Sequence, residues 1–311
     1  MKTVDHNDIG PNIDWSVYIN AIDAGHALPK AEVKDVFLGS PALTMLSRAA
    51  RIEGLGCGVK SVTVVPDNAD RRLPSVQGGM LVFDDLNGSL RAVIDSGLVT
   101  DIKTAADSVL GARYLARLDS ETLLVVGVGR VAENVIRAYC QTFVNIKRIM
   151  IWNRTKDKAQ KLANDFEQDG INVTVMSDLA VAVAQADIVA TATMSISPIL
   201  LGDWVRPGTH VDLIGAFRAD MREADDALLK KSKICVDSRE TTMHHIGEIK
   251  IPLDTGVITT NDIIADLYQL KAGVKVRSSR NDITVFKNGG GAHLDLMIAD
   301  AVLASVRGGL L

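Results

Sequence analysis

The chain has 311 residues, 47% hydrophobic and 23% charged, which excludes a disordered segment and suffices for two domains of ordinary size. A net charge of −4 without a long basic run gives nucleic acid no electrostatic footing. Cys57, Cys140 and Cys235 lie far apart with no C-x-x-C pair, the usage expected of a reducing, cytoplasmic compartment.

In chain order, the start up to Asn12 is polar, with Asp5, His6 and Asp8, and lacks the apolar core of a signal peptide. Residues 14–38 read as helical segments broken at Gly25 and Pro29. From Gly54 to Ile94 the texture turns to strand. Val59, Val62, Val64 and Val65 form a β-branched run ending at Pro66. Two further runs, Met80–Phe83 and Leu90–Ile94, flank Asn87-Gly88, a dipeptide that favours positive φ and signals a hairpin. This part therefore reads as a small, mostly antiparallel sheet with helices. Thr100 or Asp101 is the expected cap of the next helix, which presents Ala105, Ala106, Val109, Leu110, Ala112 and Leu115 and runs to about Leu118. The polar stretch Asp119–Thr122 is the expected domain boundary.

Beyond it, short apolar strands alternate with helices. The strands are Leu123–Gly127, Arg148–Trp152, Val173–Met176, Ile188–Thr193, His210–Ile214 and Ile234–Val236. Helices are expected at Val131–Phe143, Lys156–Gln168 and Leu179–Ala186. Buried strands alternating with helices imply a parallel, doubly wound sheet. The apolar stretch Ile188–Gly202 is short and broken by Pro198, so no membrane span is expected. An amphipathic helix, His293–Val306, follows Gly289-Gly290-Gly291.

The motif with most information is Gly127-Val128-Gly129-Arg130-Val131-Ala132, a G-x-G-x-x-A between a strand and a helix. Gly127 permits the tight turn, Gly129 lets backbone approach a pyrophosphate at the helix N-terminus, and Ala132 allows close helix–strand packing. The end of the second strand bears on which dinucleotide is bound. NAD sites commonly carry Asp or Glu there to bind the ribose hydroxyls. This chain has Asn153-Arg154-Thr155-Lys156. Asn153 reaches the 2′ oxygen, whereas Arg154, Thr155 and Lys158 suit a 2′-phosphate. NADP(H) is expected, with NAD the alternative.

Several stretches together carry a resemblance. They are Asn87-Gly88-Ser89-Leu90, Thr104-Ala105-Ala106, Val189 to Met194, Pro198-Ile199-Leu200, Trp204 to Gly208, Asp237-Ser238-Arg239-Glu240 and Val285-Phe286-Lys287. Over nearly its whole length the chain resembles the ornithine cyclodeaminase/μ-crystallin family. The resemblance implies an α/β fold, with a Rossmann doubly wound nucleotide domain over residues 119–289. An α+β substrate-binding and dimerisation domain would comprise residues 1–118 and 290–311. It implies a homodimer with its active site in the cleft between domains, acting on a small cyclic imine or amino acid.

By the same resemblance, a basic constellation binds the substrate carboxylate. The matching positions are Arg48, Lys60 and Lys103, and the family usually has Arg where this chain has Lys103. Lysine keeps the charge but loses the bidentate fork. Thr104 is expected on the cofactor phosphate and Arg130 and Val131 at the glycine turn. Thr193, Met194 and Ile214 are expected beside the nicotinamide half, and Asn288 and Gly289 at the nicotinamide or substrate. Ser75 and Gln77 are expected to face the cleft.

One departure separates two chemistries. Cyclodeaminases carry an Asp shortly after the Gly that ends the strand His210–Ile214, and here Phe217 stands at that place. The stretch resembles instead the ketimine reductase, or μ-crystallin, branch. The expected reaction is NADPH-dependent reduction of Δ1-pyrroline-2-carboxylate or Δ1-piperideine-2-carboxylate to proline or pipecolate. Arg48 and Lys103 would hold the carboxylate, and Lys60 would hold it too or donate the proton. The alternatives are an ornithine cyclodeaminase or amino-acid dehydrogenase, and a μ-crystallin-like protein that binds NADPH and a ligand without turnover as its main role. His244-His245 point about 100° apart on a helix and make no metal site.

Overall fold

Alternation governs the first sheet. Along Gly56–Val64 every second residue is buried, so Gly56, Gly58, Lys60 and Val62 share one face. A computed structural model describes residues 2–308 of the chain. The chain divides into two compact units: residues up to Lys103 with those from Gly291 onward, and Thr104–Gly290.

The first unit opens with strand β1 (Lys2–Val4) and helices α1 (His6–Ile9) and α2 (Trp15–Gly25). Strands β2 (Glu32–Ser40), β3 (Leu43–Ile52), β4 (Gly56–Val64), β5 (Val76–Phe83) and β6 (Leu90–Asp95) follow. The sheet order is β1-β6-β5-β4-β3-β2, antiparallel except for the β1–β6 pair. Residues 32–38 are therefore strand, not the helix expected there. Val33, Val36 and Phe37 suit a strand, and pairing along β3 overrides any local helical preference. The β5–β6 hairpin turns at Asn87-Gly88 as expected, with Gly88 at φ 69°.

Helix α3 (Ser96–Leu115) follows β6 directly. Its cap is Asp95, whose Oδ1 accepts from Leu98 N at 2.8 Å, rather than Thr100 or Asp101. Thr100 instead donates back to Ser96 O, as a hydroxyl inside a helix does. The division between the units falls inside α3, ahead of the Asp119–Thr122 boundary expected from polarity. From Thr104 on, α3 belongs to the second unit: Gly111 lies against the Phe286 ring, and Ser108 bonds Asp212.

The C-terminal helix Ala292–Gly308 packs on the first sheet and on α2. A Cβ on Gly25 would meet Met297 Sδ at 2.5 Å, and one on Gly58 would meet Leu296 Cδ1 at 3.1 Å, so small residues set this approach. Residues 309–311, at the end of the expected dimerisation segment, lie outside the described residues, as does Met1.

The second unit runs β7 (Thr122–Val126), α4 (Arg130–Thr142), β8 (Arg148–Trp152), α5 (Lys156–Gln168), β9 (Val173–Val175), α6 (Leu179–Gln185), β10 (Ile188–Thr191) and β11 (His210–Leu213). It continues with α7 (Asp226–Lys230), β12 (Ser232–Val236), α8 (Arg239–Thr242), α9 (Gly247–Asp254), β13 (Ile263–Asp266), α10 (Leu267–Lys271) and β14 (Ile283–Lys287). Its eight strands are parallel in the order β13-β12-β14-β11-β10-β7-β8-β9. Burial on both faces explains their continuous apolar runs, such as Leu123–Val126 at 0% exposure. Strand order reverses between β7 and β10, so their carboxyl ends frame the crevice where such sheets bind ligands.

Candidate active site

In the second unit the glycine turn has the form a dinucleotide needs. Gly127 has φ 120°, and a Cβ there would meet Ala192 O at 2.5 Å. A side chain is thus excluded both by backbone conformation and by the loop after β10. Gly129 caps α4 without a side-chain bond, and nothing lies within 4 Å of the Cβ it lacks. The first amides of α4, at Arg130 and Val131, therefore begin a helix whose N-terminus faces an open, uncrowded approach. Ala132 is fully buried, as close helix–sheet packing requires.

At the end of β8, Asn153 donates to Thr155 O at 2.9 Å, which shapes the turn into α5. Arg154, Thr155 and Lys158 are exposed, and Thr155 caps α5 without a side-chain bond. With Lys156 also exposed, the tip presents three cations and a hydroxyl, with Asp157 in the first turn of α5.

The ends of β10 and β11 are tied together. Thr193 N and Oγ1 both donate to Glu223 Oε1 at 2.7 Å, while Thr191 Oγ1 and Gly215 N donate to Oε2 at 2.7 Å. Ile214 is nearly buried, whereas Met194 and Phe217 project outward with more than half their surface exposed. The Arg218 guanidinium lies 5.7 Å over the Phe217 ring and pairs with Asp220.

Asn288 donates to Thr104 O at 2.9 Å and to Ser108 Oγ at 3.0 Å, so Thr104, Ser108 and Asn288 form one buried group. Gly289 N and Gly290 N donate to Asp237 Oδ2, and Ser238 N and Thr242 Oγ1 to Oδ1. Beneath them the Lys287 ammonium donates to Leu213 O at 2.8 Å and Asn288 O at 2.6 Å. Burial pulls Lys287 down, and Glu248, Glu223, Asp237 and Asp212 oppose this. Burial pushes the Asp212 and Glu248 carboxyls up to about 7. This ionic floor was not read from the sequence. Its members look like ordinary surface charges until the sheet order is known.

In the first unit Arg48 and Lys60 are direct cross-strand partners on β3 and β4. The Lys60 ammonium donates to Asp295 Oδ1 at 2.7 Å and to Thr100 Oγ1 at 3.3 Å, with both charges buried. Arg48 pairs with Asp35 at 2.9 Å, nearer the rim. Lys103, inside α3, is 7% exposed. Burial pulls the Lys60 ammonium below its ordinary value, with Asp295 opposing and Lys103 and Arg48 adding to the fall. Burial alone would raise Asp295, yet Lys60, Lys103 and Arg48 hold it below the usual carboxylate value. His293 is pushed down to about 3, chiefly by burial and His26, so its imidazole is neutral. Three cations thus face two carboxylates, an arrangement with positive charge to spare for an anion.

The fold brings Arg48, Lys60 and Lys103 together and adds Asp295, from the first turn of the C-terminal helix. The signal available was the period of two that puts Lys60 on a buried face. Gln77, at the start of β5, donates its amide to Pro74 O at 3.2 Å, and Ser75 O accepts from Val65 N at 2.8 Å.

The chain is similar to several known proteins. The chain is 53% identical over 304 residues, covering 97% of it and 96% of the relative, to a Δ1-pyrroline-2-carboxylate reductase of Paracoccus denitrificans. It is 36% identical to the ketimine reductase μ-crystallin of Rattus norvegicus, covering 79% and 75% of the two chains. The solved Δ1-pyrroline-2-carboxylate reductase of Thermococcus litoralis, in complex with NADH and L-proline, superposes with a TM-score of 0.91 at 28% identity, covering 100% and 99%. An archaeal alanine dehydrogenase dimer with bound NAD gives 0.91 at 28%, covering 100% and 97%. The model of the ornithine cyclodeaminase/μ-crystallin family matches residues 44–309, and the chain belongs to that family.

Proposed function

We propose that the chain reduces a cyclic ketimine carboxylate, Δ1-pyrroline-2-carboxylate or Δ1-piperideine-2-carboxylate, to L-proline or L-pipecolate with NADPH. The observation that carries this reading is the cluster of buried Lys60 and Lys103 with half-buried Arg48, whose charge Asp35 and Asp295 leave incompletely balanced. Arg48 and Lys103 hold the substrate carboxylate and so orient the ring. Reduction turns C=N into CH–NH, which needs a hydride at carbon and a proton at nitrogen. When bound, the reduced dinucleotide supplies the hydride. Lys60 supplies the proton: its lowered pKa eases release, and Asp295 fixes its direction. The neighbour complex with NADH and L-proline, a cyclic amino acid, supports this substrate class.

Gly127, Gly129, Arg130 and Val131 cradle the pyrophosphate, and Thr104 lies on the phosphate side. Thr193, Met194, Ile214, Asn288 and Gly289 border the nicotinamide half. Asn153, Arg154, Thr155 and Lys158 read the 2′-phosphate, because the tip offers cations where an NAD site places a carboxylate. The solved neighbours hold NADH or NAD, so the preference for NADPH rests on this chain's own tip. Phe217, at the place of the cyclodeaminase carboxylate, disfavours ornithine cyclisation.

A homodimer is part of this reading, and β2 supports it. This is an edge strand carrying exposed Val36 and Phe37, with Leu43 and Met45 exposed on its neighbour β3. Such an edge invites pairing unless it is covered. Its three free cysteines suit a reducing cytoplasm, and among the described residues no helix is long and apolar enough to cross a membrane. The test is the rate of NADPH and NADH oxidation with each imine, beside ammonia release from ornithine with NAD. Faster turnover with the imines and NADPH is expected. Ammonia release without imine reduction would refute the reading.

A further inference from the structure

We propose that Glu223 is a positioning residue of the cofactor site, holding the two strand-end loops in the form that receives the nicotinamide half. The inference rests on the dinucleotide reading above and concerns a residue that reading does not use.

Glu223 is fully buried, and four donors converge on its carboxylate at 2.7 Å. Two are hydroxyls, Thr191 and Thr193, which can turn round. The other two are backbone amides, which cannot. Thr193 N points at Oε1 and Gly215 N at Oε2. Each oxygen therefore faces one irreversible donor, and only a carboxylate satisfies both.

The residue itself is immobilised. Its own N–H donates to Glu248 Oε2 at 2.7 Å, and Ala224 N donates to Oε1 at 3.0 Å. Its carbonyl accepts from Ile199 N and Leu200 N, both at 2.9 Å. The loops it joins are already at close approach. A Cβ on Gly215 would meet Thr193 O at 2.1 Å and Thr193 N at 2.4 Å, and one on Gly127 would meet Ala192 O at 2.5 Å. The glycine turn, the loop after β10 and the loop after β11 thus form one continuous backbone surface at the switch point. Glu223 fixes two of its three parts from beneath.

Glu223→Gln keeps size and shape but must aim its NH2 at Thr193 N or at Gly215 N. Whichever way the amide turns, one loop loses its acceptor and meets a donor. The pyrophosphate turn and the tip at Arg154 are not bonded to Glu223, so the adenosine half keeps its contacts.

The experiment is calorimetric titration of the full chain with NADPH and with 2′-phospho-ADP-ribose, which lacks only the nicotinamide. For Glu223→Gln the expected result is at least a tenfold weaker NADPH, with the fragment within twofold of the parent. Gly215→Ala is the second variant, because its methyl meets both the Thr193 backbone and Glu223 Oε1, at 2.6 Å, and so breaks the same junction from the loop side while the glutamate itself is kept; it should show the same split. Parent-like NADPH binding in both variants would overturn the assignment. Equal losses for NADPH and fragment would overturn it too, since they indicate general disruption. Failure of the parent to bind either compound would sink the dinucleotide reading itself, and this assignment with it.

Discussion

The Lys60–Asp295 pair offers a perturbation whose size follows from its burial. The ammonium and carboxylate are 2.7 Å apart, with side-chain exposures of 8% and 1%. Either single change, Lys60→Met or Asp295→Leu, strands one buried charge. Losing one partner of a buried pair costs about 3–5 kcal/mol. At roughly 2–4 °C per kcal/mol for units of this size, each single variant should melt roughly 6–20 °C below the parent. Asp295→Leu should suffer more of the two, because it leaves Lys60 beside Lys103 and Arg48 with no carboxylate of its own, Asp35 being paired with Arg48. The double variant removes one charge of each sign and leaves the net charge of the cluster unchanged. Its loss should fall well short of the sum, because an apolar pair of similar volume commonly replaces a buried ion pair at little cost. The assay is thermal unfolding of the four proteins as a double-mutant cycle, with dinucleotide binding to confirm that the second unit stays folded. Losses that simply add would refute direct coupling of the two charges. Lys60→Met should also abolish imine reduction while NADPH still binds.

Three other outcomes are expected. Arg154→Ala should raise the KM for NADPH at least tenfold and change that for NADH less than threefold, since Arg154 reads the 2′-phosphate; equal changes in steady-state kinetics would remove it from that role. The Asp212 carboxyl is raised from 3.8 to about 7, so the folded protein holds a proton that the unfolded chain has already lost in that window. The site's contribution to stability is therefore full below about pH 4 and is lost as pH rises through about 7. Asp212→Asn should gain on the parent as denaturant unfolding moves from pH 5 to pH 9, by at most about 3 kcal/mol, because part of the effect is already lost by pH 5. Ser108 and Tyr139 can reverse their hydroxyls to serve the amide, and a gain independent of pH would refute this account. Phe37→Asp should shift sedimentation towards monomer at micromolar concentration, and an unchanged species would exclude the β2 edge from the interface.

The second unit was largely legible because its signals are local. Leu123–Val126, the glycine turn and the apolar helix face lie within a few residues of one another, and the structure turns them into β7, Gly127 at positive φ and α4. The first unit was legible only where local chemistry dictates geometry, as at Asn87-Gly88. Residues 32–38 form a strand because β3 lies beside them, which no local window contains. The start of α3 was misplaced because Thr100 and Asp101 look like caps, while Asp95 caps from the end of a strand. Among site residues, Arg48, Lys60 and Lys103 were named from family resemblance, and their convergence depends on strand register and a following helix. Asp295 and Glu223 were missed as partners because each acts across a long sequence separation, on Lys60 and on Thr193 respectively.

The central claim is that this chain delivers hydride to a ring imine held by its carboxylate. The most direct measurement mixes purified protein with Δ1-pyrroline-2-carboxylate and NADPH carrying two deuterium atoms at C4, then weighs the product. Proline with a single deuterium at Cα, formed in step with NADP+, is the expected result. Unlabelled proline, or dinucleotide consumption without proline, would contradict it.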